Sequence, residues 1–259
     1  PGDRVGVVEP GYPAYRNILS ALGVEPVALP ARGECDFKPT AALLASAGRL
    51  DGLLVASPAN PTGTMIDHGG LTALVRASAA TGTRLIVDEI YHGITYHGRA
   101  ETVLAVDPQT LVINSFSKYF SMTGWRLGWM VVPEDLMRSV ECLAQNLFIS
   151  PPALSQQAAV AAFDAYDELD ANVARYARNR EILLTELPRA GFAKLAPADG
   201  AFYIYADVSR LTNDSQDFCR RMLQDVTTCI RHNLTIDELR PSVTLLVDPA
   251  GTRSRDPAP

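Results

Sequence analysis

Polar residues that could do chemistry lie directly after apolar runs of strand length. Asn60 follows one such run, Asp88 closes the next, and Lys118 lies just beyond a third. Because ligands of open α/β sheets bind beyond the carboxyl ends of the strands, we expect an amide, a carboxylate and a primary amine to meet in one crevice. Taken singly, each also has an ordinary interpretation: Asn60 as part of a turn, Asp88 as a helix cap and Lys118 as a surface lysine.

The elements that must position these residues alternate along the chain. Strands are predicted over 4–8, 24–29, 53–56, 84–88, 111–115 and 127–132, with helices over 12–22, 40–46 and 67–80. Strands separated by helical crossovers indicate a mostly parallel α/β sheet flanked by helices. Beyond residue 151 a helical pattern, a strand over 201–206 and a helix over 215–224 predict part of a smaller α+β domain. We therefore expect a large domain over 1–164 and a small one over 165–259.

Short motifs occur in a fixed order along the chain: Pro10–Tyr15, Asn60–Gly63, Asp88–Tyr91, Ser115–Lys118, Gly124–Gly128 and Gly200–Tyr203. Together they resemble the class I/II aminotransferases, which are fold-type I enzymes dependent on pyridoxal 5′-phosphate (PLP). The Ser-x-Ser-Lys-x₇-Arg element from Ser115 to Arg126 is the most specific part of the resemblance, which covers residues 1 to about 225.

The resemblance implies catalytic roles for Lys118, Asp88 and Tyr91. Lys118 matches the lysine that holds the PLP aldehyde as a Schiff base and then moves a proton, which requires a primary amine. Asp88 matches the buried carboxylate that keeps the ring nitrogen protonated. Tyr91 and Asn60 match the groups that hydrogen-bond the ring 3′-oxygen.

The resemblance also implies how the rest of the cofactor is held. Tyr12 matches the aromatic residue that stacks on the ring face. Ser115 and Arg126 match phosphate-binding positions, where a hydroxyl and a planar, permanently charged guanidinium suit the phosphate oxygens. Ser117 is a weaker candidate for the same task, since it is equally well explained by local turn structure.

The activity implied by the family is transfer of the amino group of an L-amino acid to a 2-oxo acid, by a cytoplasmic homodimer. Two alternatives keep the same cofactor residues. One is a PLP-dependent lyase or synthase on the same scaffold. The other is a catalytically impaired PLP-binding module, such as the sensor domain of a transcriptional regulator, although no helix-turn-helix or basic segment is present.

Composition excludes several other classes of protein. The 259 residues are 47% apolar and 20% charged, with 23 Lys and Arg against 29 Asp and Glu, a net charge of −6. A net-acidic chain without a basic cluster argues against nucleic-acid binding. No apolar run approaches the roughly 18–20 residues of a membrane span. The spacing of the 4 cysteines fits neither a zinc site nor a disulfide framework, which favours reduced thiols in the cytoplasm.

The chain departs from the family pattern near both ends. It starts at Pro1 in what reads as mid-domain sequence, so we expect an N-terminal truncation. The family carries a substrate-carboxylate arginine in a Val-Arg-Leu-Ser-Phe-Ala strand, but the nearest stretch here, 243–247, has Thr244 at that position. Arg231 and Arg240 lie nearby without a matching motif. After about residue 226 we expect a frameshifted, truncated or divergent end, with a disordered tail over 252–259.

Overall fold

A six-stranded sheet is the main feature of the computed structural model, which describes residues 1–233 and 244–248. Its strands are β1 (Arg4–Glu9), β2 (Glu25–Pro30), β3 (Gly52–Ala56), β4 (Arg84–Asp88), β5 (Leu111–Ser115) and β6 (Gly128–Val131). Their spatial order is β2-β1-β3-β4-β5-β6. The first five are mutually parallel and β6 runs antiparallel to β5, which confirms a mostly parallel α/β sheet.

The central strands are apolar because both of their faces are covered. In β3 and β4 the side chains of Leu53, Val55 and Val87 are at most 1% exposed, as expected of parallel strands between helical layers. Leucines of two flanking helices, Leu44, Leu71 and Leu74, belong to the same buried cluster. This core fixes the strands whose carboxyl ends carry the polar residues.

Helices connect and flank the strands: α1 (Pro13–Ala21), α2 (Ala41–Ser46), α3 (His68–Thr81), α4 (Glu134–Leu147), α5 (Ala153–Ala162), α6 (Tyr166–Arg189) and α7 (Ser215–Asn233). The start of α3 follows the prediction, since the Asp67 carboxylate caps it by accepting the Gly70 N–H at 2.8 Å. Gly82, with φ +68°, ends the same helix in the left-handed conformation that glycine adopts without strain. Among the described residues, no helix is both long and apolar enough to cross a membrane.

A second sheet follows α6. It consists of β7 (Lys194–Leu195), β8 (Tyr203–Asp207) and β9 (Thr244–Asp248), with β7 antiparallel and β9 parallel to β8. Leu187 of α6 packs with Phe192 and Ile204 in a buried cluster, to which Phe218 and Met222 of α7 contribute. The smaller α+β unit is therefore present, whereas the boundary near residue 165 stays a prediction.

Some predicted bounds differ from the structure. β2 extends through Pro30, which a sheet edge tolerates because the outward side of an edge strand needs no N–H donor. α4 has no counterpart in the sequence-based prediction, and α7 runs nine residues past Gln224, to Asn233. Arg240 and residues 252–259 lie outside the described residues, as does the side chain of Arg231.

Candidate active site

The predicted site residues collect at one edge of the six-stranded sheet. Tyr12 follows β1, Asn60 follows β3, Asp88 ends β4 and Ser115 ends β5. Because these four strands are parallel, their carboxyl ends lie at the same edge. Arg126 reaches that edge from the other direction, since β6 is antiparallel and Gly128 pairs with Ser115.

Asp88 is a largely buried carboxylate whose hydrogen-bond partners are neutral. Its side chain accepts hydrogen bonds from the hydroxyl of Tyr15 and from the backbone N–H of Ile90, the latter at 2.9 Å. Within the part of the chain that the structure describes, no Lys, Arg or His nitrogen forms an ion pair with it. Burial raises the pKa of Asp88, and the two hydrogen bonds oppose that rise only in part. The site thus holds a carboxylate that is hydrogen-bonded by neutral donors, while the charges of Lys118 and His92 lower its pKa without forming an ion pair with it.

Lys118 brings the primary amine to the same place. Its Nζ lies 5.5 Å from the centre of the Tyr91 ring and 5.7 Å from that of Phe202. Burial lowers the pKa of the amine; the charge of Asp88 opposes this effect and that of Arg126 adds to it. A lowered pKa increases the neutral fraction of the amine, which is the form that acts as nucleophile and base.

Tyr91 occupies the interior between Lys118 and the second sheet. It is 2% exposed, and its hydroxyl shares a hydrogen bond with the hydroxyl of Tyr203, the first residue of β8. Its ring meets the rings of Phe202 and Tyr203 edge to face, at 5.4 and 5.6 Å between centroids. Burial raises the pKa of Tyr91, so its hydroxyl is a neutral donor.

The residues predicted to bind phosphate lie around the turn between β5 and β6. The Ser115 hydroxyl donates to the Leu127 carbonyl at 3.1 Å and accepts the Ser117 N–H at 3.0 Å. Arg126 has a left-handed backbone, with φ 50°, and its guanidinium is exposed and donates to the Thr123 carbonyl at 3.0 Å. These groups stand next to Lys118, but the structure leaves their phosphate-binding role untested.

Tyr12 and Asn60 lie at the same edge of the sheet, after β1 and β3. Tyr12 is 47% exposed and meets Tyr15 edge to face with 5.4 Å between ring centroids. Asn60 lines a largely apolar cavity together with Gly11, Tyr15 and Phe37. Their predicted roles, ring stacking and a hydrogen bond to the ring oxygen, stay predictions.

Sequence reasoning assigned no role to Tyr15, Phe202 or Tyr203, although all three fall inside the quoted motifs. Tyr15 could have been found from its spacing, because a residue three positions after Tyr12 at a helix start lies on the same side. Tyr203 offers no such local signal, since its partner Tyr91 is 112 residues away.

Comparison with known proteins agrees with the fold and the motifs. A family model described as aminotransferase class I and II matches residues 1–246. The chain therefore belongs to the class I and II aminotransferases, whose members generally depend on PLP. The match extends some 20 residues beyond the stretch over which the motifs carry the resemblance.

Individual relatives share most of this chain. A valine–pyruvate aminotransferase of Mycobacterium tuberculosis is 51% identical over 244 residues, 92% of this chain and 63% of the relative. A crystal structure of an aminotransferase from the same organism is 53% identical with a TM-score of 0.84, covering 86% of this chain and 59% of that one. Aspartate aminotransferase of Thermus thermophilus with maleate is 31% identical, with a TM-score of 0.80 and coverage of 86% and 60%. The chain thus spans less than two thirds of the length of these proteins.

The residues present suit PLP. The largely buried carboxylate of Asp88 matches a cationic ring nitrogen, which would add a directly bonded charge partner to its two neutral donors. The partly buried amine of Lys118 matches an aldehyde, and the exposed guanidinium of Arg126 matches a phosphate. The half-exposed aromatic ring of Tyr12 matches a flat aromatic ligand.

Proposed function

We propose that the protein is a PLP-dependent aminotransferase that moves the amino group of an L-amino acid to a 2-oxo acid. The observation that carries this proposal is the pairing of Asp88 and Lys118 at one edge of the sheet: a largely buried carboxylate with neutral hydrogen-bond partners, and a partly buried amine close enough for the two charges to act on each other. PLP supplies an aldehyde that takes up the donor amino group and a ring that withdraws electrons from the donor Cα.

Each side chain then has a defined task. Asp88 holds the positive charge at the ring nitrogen, and Tyr91 donates its O–H to the 3′-oxygen, as does the amide of Asn60. Lys118 Nζ binds the cofactor and later takes the proton from the donor Cα. Tyr12 orients the ring by stacking on it.

A separate group of residues binds the phosphate of the cofactor. Arg126 binds it with its guanidinium, while Ser115 and Ser117 contribute hydroxyls. Ser115 must turn its O–H away from the Leu127 carbonyl to do so.

For the substrates we propose an apolar L-amino acid as donor and a small 2-oxo acid such as pyruvate as acceptor. The support is the 51% identity to an enzyme named valine–pyruvate aminotransferase. The carboxylate clamp is where this chain departs from the family, because Thr244 stands at the position expected for arginine. We therefore propose that the chain as written binds PLP but transaminates slowly.

The test begins with cofactor attachment. PLP added to the purified protein should produce a visible absorption band, and reduction with borohydride should fix the label on the peptide containing Lys118. The sequence has only two other lysines, Lys38 and Lys194, and a label on either would contradict the assignment. Conversion of valine with pyruvate to alanine then supports transamination. Release of ammonia or of a β-leaving group would favour a lyase or synthase, and PLP binding with no reaction would favour a binding module.

We also propose a cytoplasmic homodimer with a domain boundary near residue 165. Large apolar side chains on and after α4 are more than half exposed, which favours a covering partner: Leu143, Leu147, Phe148, Ile149 and Leu154. Light scattering should give twice the chain mass of 28.0 kDa. The Leu147→Glu variant should give the monomer mass, and a monomeric wild-type protein would contradict the proposal.

A further inference from the structure

The loop that precedes β8 is hydrogen-bonded to the loops that follow β3 and β4 of the large sheet. The N–H of Gly200 donates to the Gly63 carbonyl at 2.8 Å, and the N–H of Ala201 donates to the Ile94 carbonyl at 2.9 Å. Asp199 accepts the N–H of Met65 at 3.1 Å. The loop is thereby bonded to the turn that carries Asn60 and to the segment that follows Tyr91.

The backbone of this loop approaches the backbone at Gly63 so closely that only glycine fits there. Gly63 has φ +68°, and a Cβ on it would lie 2.8 Å from the Gly200 oxygen and 3.1 Å from the Ala198 Cα. Ala198 and Ala201 themselves adopt positive φ angles of 51° and 59°. Non-glycine residues hold such angles only where their surroundings impose them. The surroundings include Arg180, 5% exposed, whose Nε donates to the Ala198 carbonyl at 2.7 Å.

This loop positions Tyr203 so that its hydroxyl forms a hydrogen bond with the hydroxyl of Tyr91. A phenol has one proton to donate and lone pairs with which to accept. If Tyr91 donates its proton to a cofactor oxygen, the hydrogen bond between the two phenols persists only with Tyr203 as donor. Donation from Tyr203 polarises the O–H of Tyr91 and strengthens it as a donor.

We propose that Tyr203 is a positioning residue that orients the Tyr91 O–H toward the 3′-oxygen of PLP. The inference rests on the proposed function and assigns to the second sheet a part in setting the electronic state of the cofactor. Packing alone does not require the hydroxyl, because the ring of the neighbouring Phe202 fills the space beside Tyr91.

A double-mutant cycle tests whether Tyr203 acts through Tyr91. Tyr91→Phe, Tyr203→Phe and the double variant are compared with wild type by two measurements. The first is the dissociation constant of PLP, and the second is the pH midpoint at which the visible band of the bound cofactor changes. Tyr203→Phe should weaken PLP binding roughly threefold to tenfold, the range of one neutral hydrogen bond. It should shift the midpoint in the same direction as Tyr91→Phe, by less.

In the Tyr91→Phe background, Tyr203→Phe should change neither quantity further. Tyr96→Phe is the matched control, since the Tyr96 hydroxyl bonds the Ala201 carbonyl of the same loop; it should lower stability to unfolding and leave the midpoint unchanged. Equal effects of Tyr203→Phe in both backgrounds, or an unmoved midpoint, would overturn the inference alone. A wild-type protein that does not bind PLP would overturn the proposed function and this inference with it.

Discussion

The hydroxyl of Tyr15 donates to the carboxylate of Asp88, joining the first turn of α1 to the end of β4 across 73 residues. Burial, followed by the charge of Asp88, raises the pKa of Tyr15, so the phenol stays protonated and remains a donor. The same bond lowers the pKa of Asp88 against the larger effect of burial. Tyr15 therefore helps to keep the carboxylate ionised.

Tyr15→Phe should raise the pKa of Asp88 further, because the carboxylate loses a donor. The ionised form is then lost at a higher pH as the solution is acidified, so the acid limb of the donor half-reaction should move to higher pH. The pH profile of the half-reaction rate measures this shift. Tyr119→Phe is the control, since its hydroxyl bonds the exposed Asp170 at 2.7 Å, and its profile should match wild type. An unshifted limb in Tyr15→Phe would contradict the role.

Asp88→Asn should preserve much of the PLP binding but slow Cα proton removal severely, because the ring nitrogen loses its charge partner. Each pKa unit at that nitrogen corresponds to about 1.4 kcal/mol, or tenfold. Stopped-flow measurement of the half-reaction checks the rate. Glu89→Gln makes the same chemical change one residue away, where the carboxylate accepts the Val103 N–H instead, and should leave the rate close to wild type. Nearly unchanged rates in Asp88→Asn would make Asp88 structural.

Asp88→Asn should stabilise the protein without cofactor at neutral pH. Burial raises the pKa of Asp88 above its ordinary 3.8, so the folded state binds more protons than the unfolded chain in the window above that value. Stability then falls as pH rises through the window. Asparagine removes this penalty: its oxygen can accept the Ile90 N–H, and its NH2 can donate to the Tyr15 hydroxyl, which then acts as the acceptor. Thermal melts should show a higher Tm for the variant at pH 7, with the difference shrinking toward pH 4; the opposite trend would refute the burial argument.

Thr244→Arg should restore a clamp for the substrate α-carboxylate. The backbone of Thr244 pairs with Tyr203 in the second sheet, which places this position at the start of β9, beside the strand residue that bonds Tyr91. Two charge-assisted hydrogen bonds at about 1.5–3 kcal/mol each correspond to roughly two to four decades in affinity. The half-reaction with a panel of L-amino acids measures the gain, with Thr244→Met as a control of similar bulk. Ordinary enzymatic rates in the unmodified chain would show that no new clamp is needed.

Arg180→Met should destabilise the fold by about 1.5–3 kcal/mol, the range for hydrogen bonds to a charged group. Its guanidinium bonds the Ala198 carbonyl at 2.7 Å and the His97 ring at 2.8 Å, and the substitution leaves both unpaired. Urea unfolding measures the loss. Arg178→Met, on the exposed side of the same helix, should stay within about 0.5 kcal/mol of wild type. Equal losses in the two variants would contradict the importance of the buried guanidinium.

What could be predicted from sequence follows from local signals. The runs 84–88 and 111–115 became β4 and β5 with the same bounds, because apolar runs bounded by polar residues mark buried strands. The start of α3 could be predicted because Asp67 is a residue type that commonly caps helix N-termini. By contrast, α4 was overlooked although Pro133 and the acidic Glu134 and Asp135 form an ordinary helix start.

Only the site residues that belong to recognisable motifs could be assigned a role from the sequence. Asn60 and Asp88 lie at the same sheet edge because parallel strands align their carboxyl ends, and Lys118 follows the neighbouring strand; their roles toward a cofactor stay predictions. The bond between Tyr91 and Tyr203 joins the two sheets and depends on how one packs on the other. No periodicity or spacing in the sequence reports that packing, which is why Tyr203 received no role.

β6 closes the large sheet with a strand whose residues are all exposed, and no described strand pairs with its outer side. Its residues, Gly128–Val131, include neither a charged residue nor a proline. Charged residues and prolines are what usually prevent an edge strand from pairing with another chain. The free N–H and C=O groups, together with Trp129 and Met130, form a template for edge-to-edge association. We therefore expect Met130→Lys to lower the tendency of this chain to associate through β6.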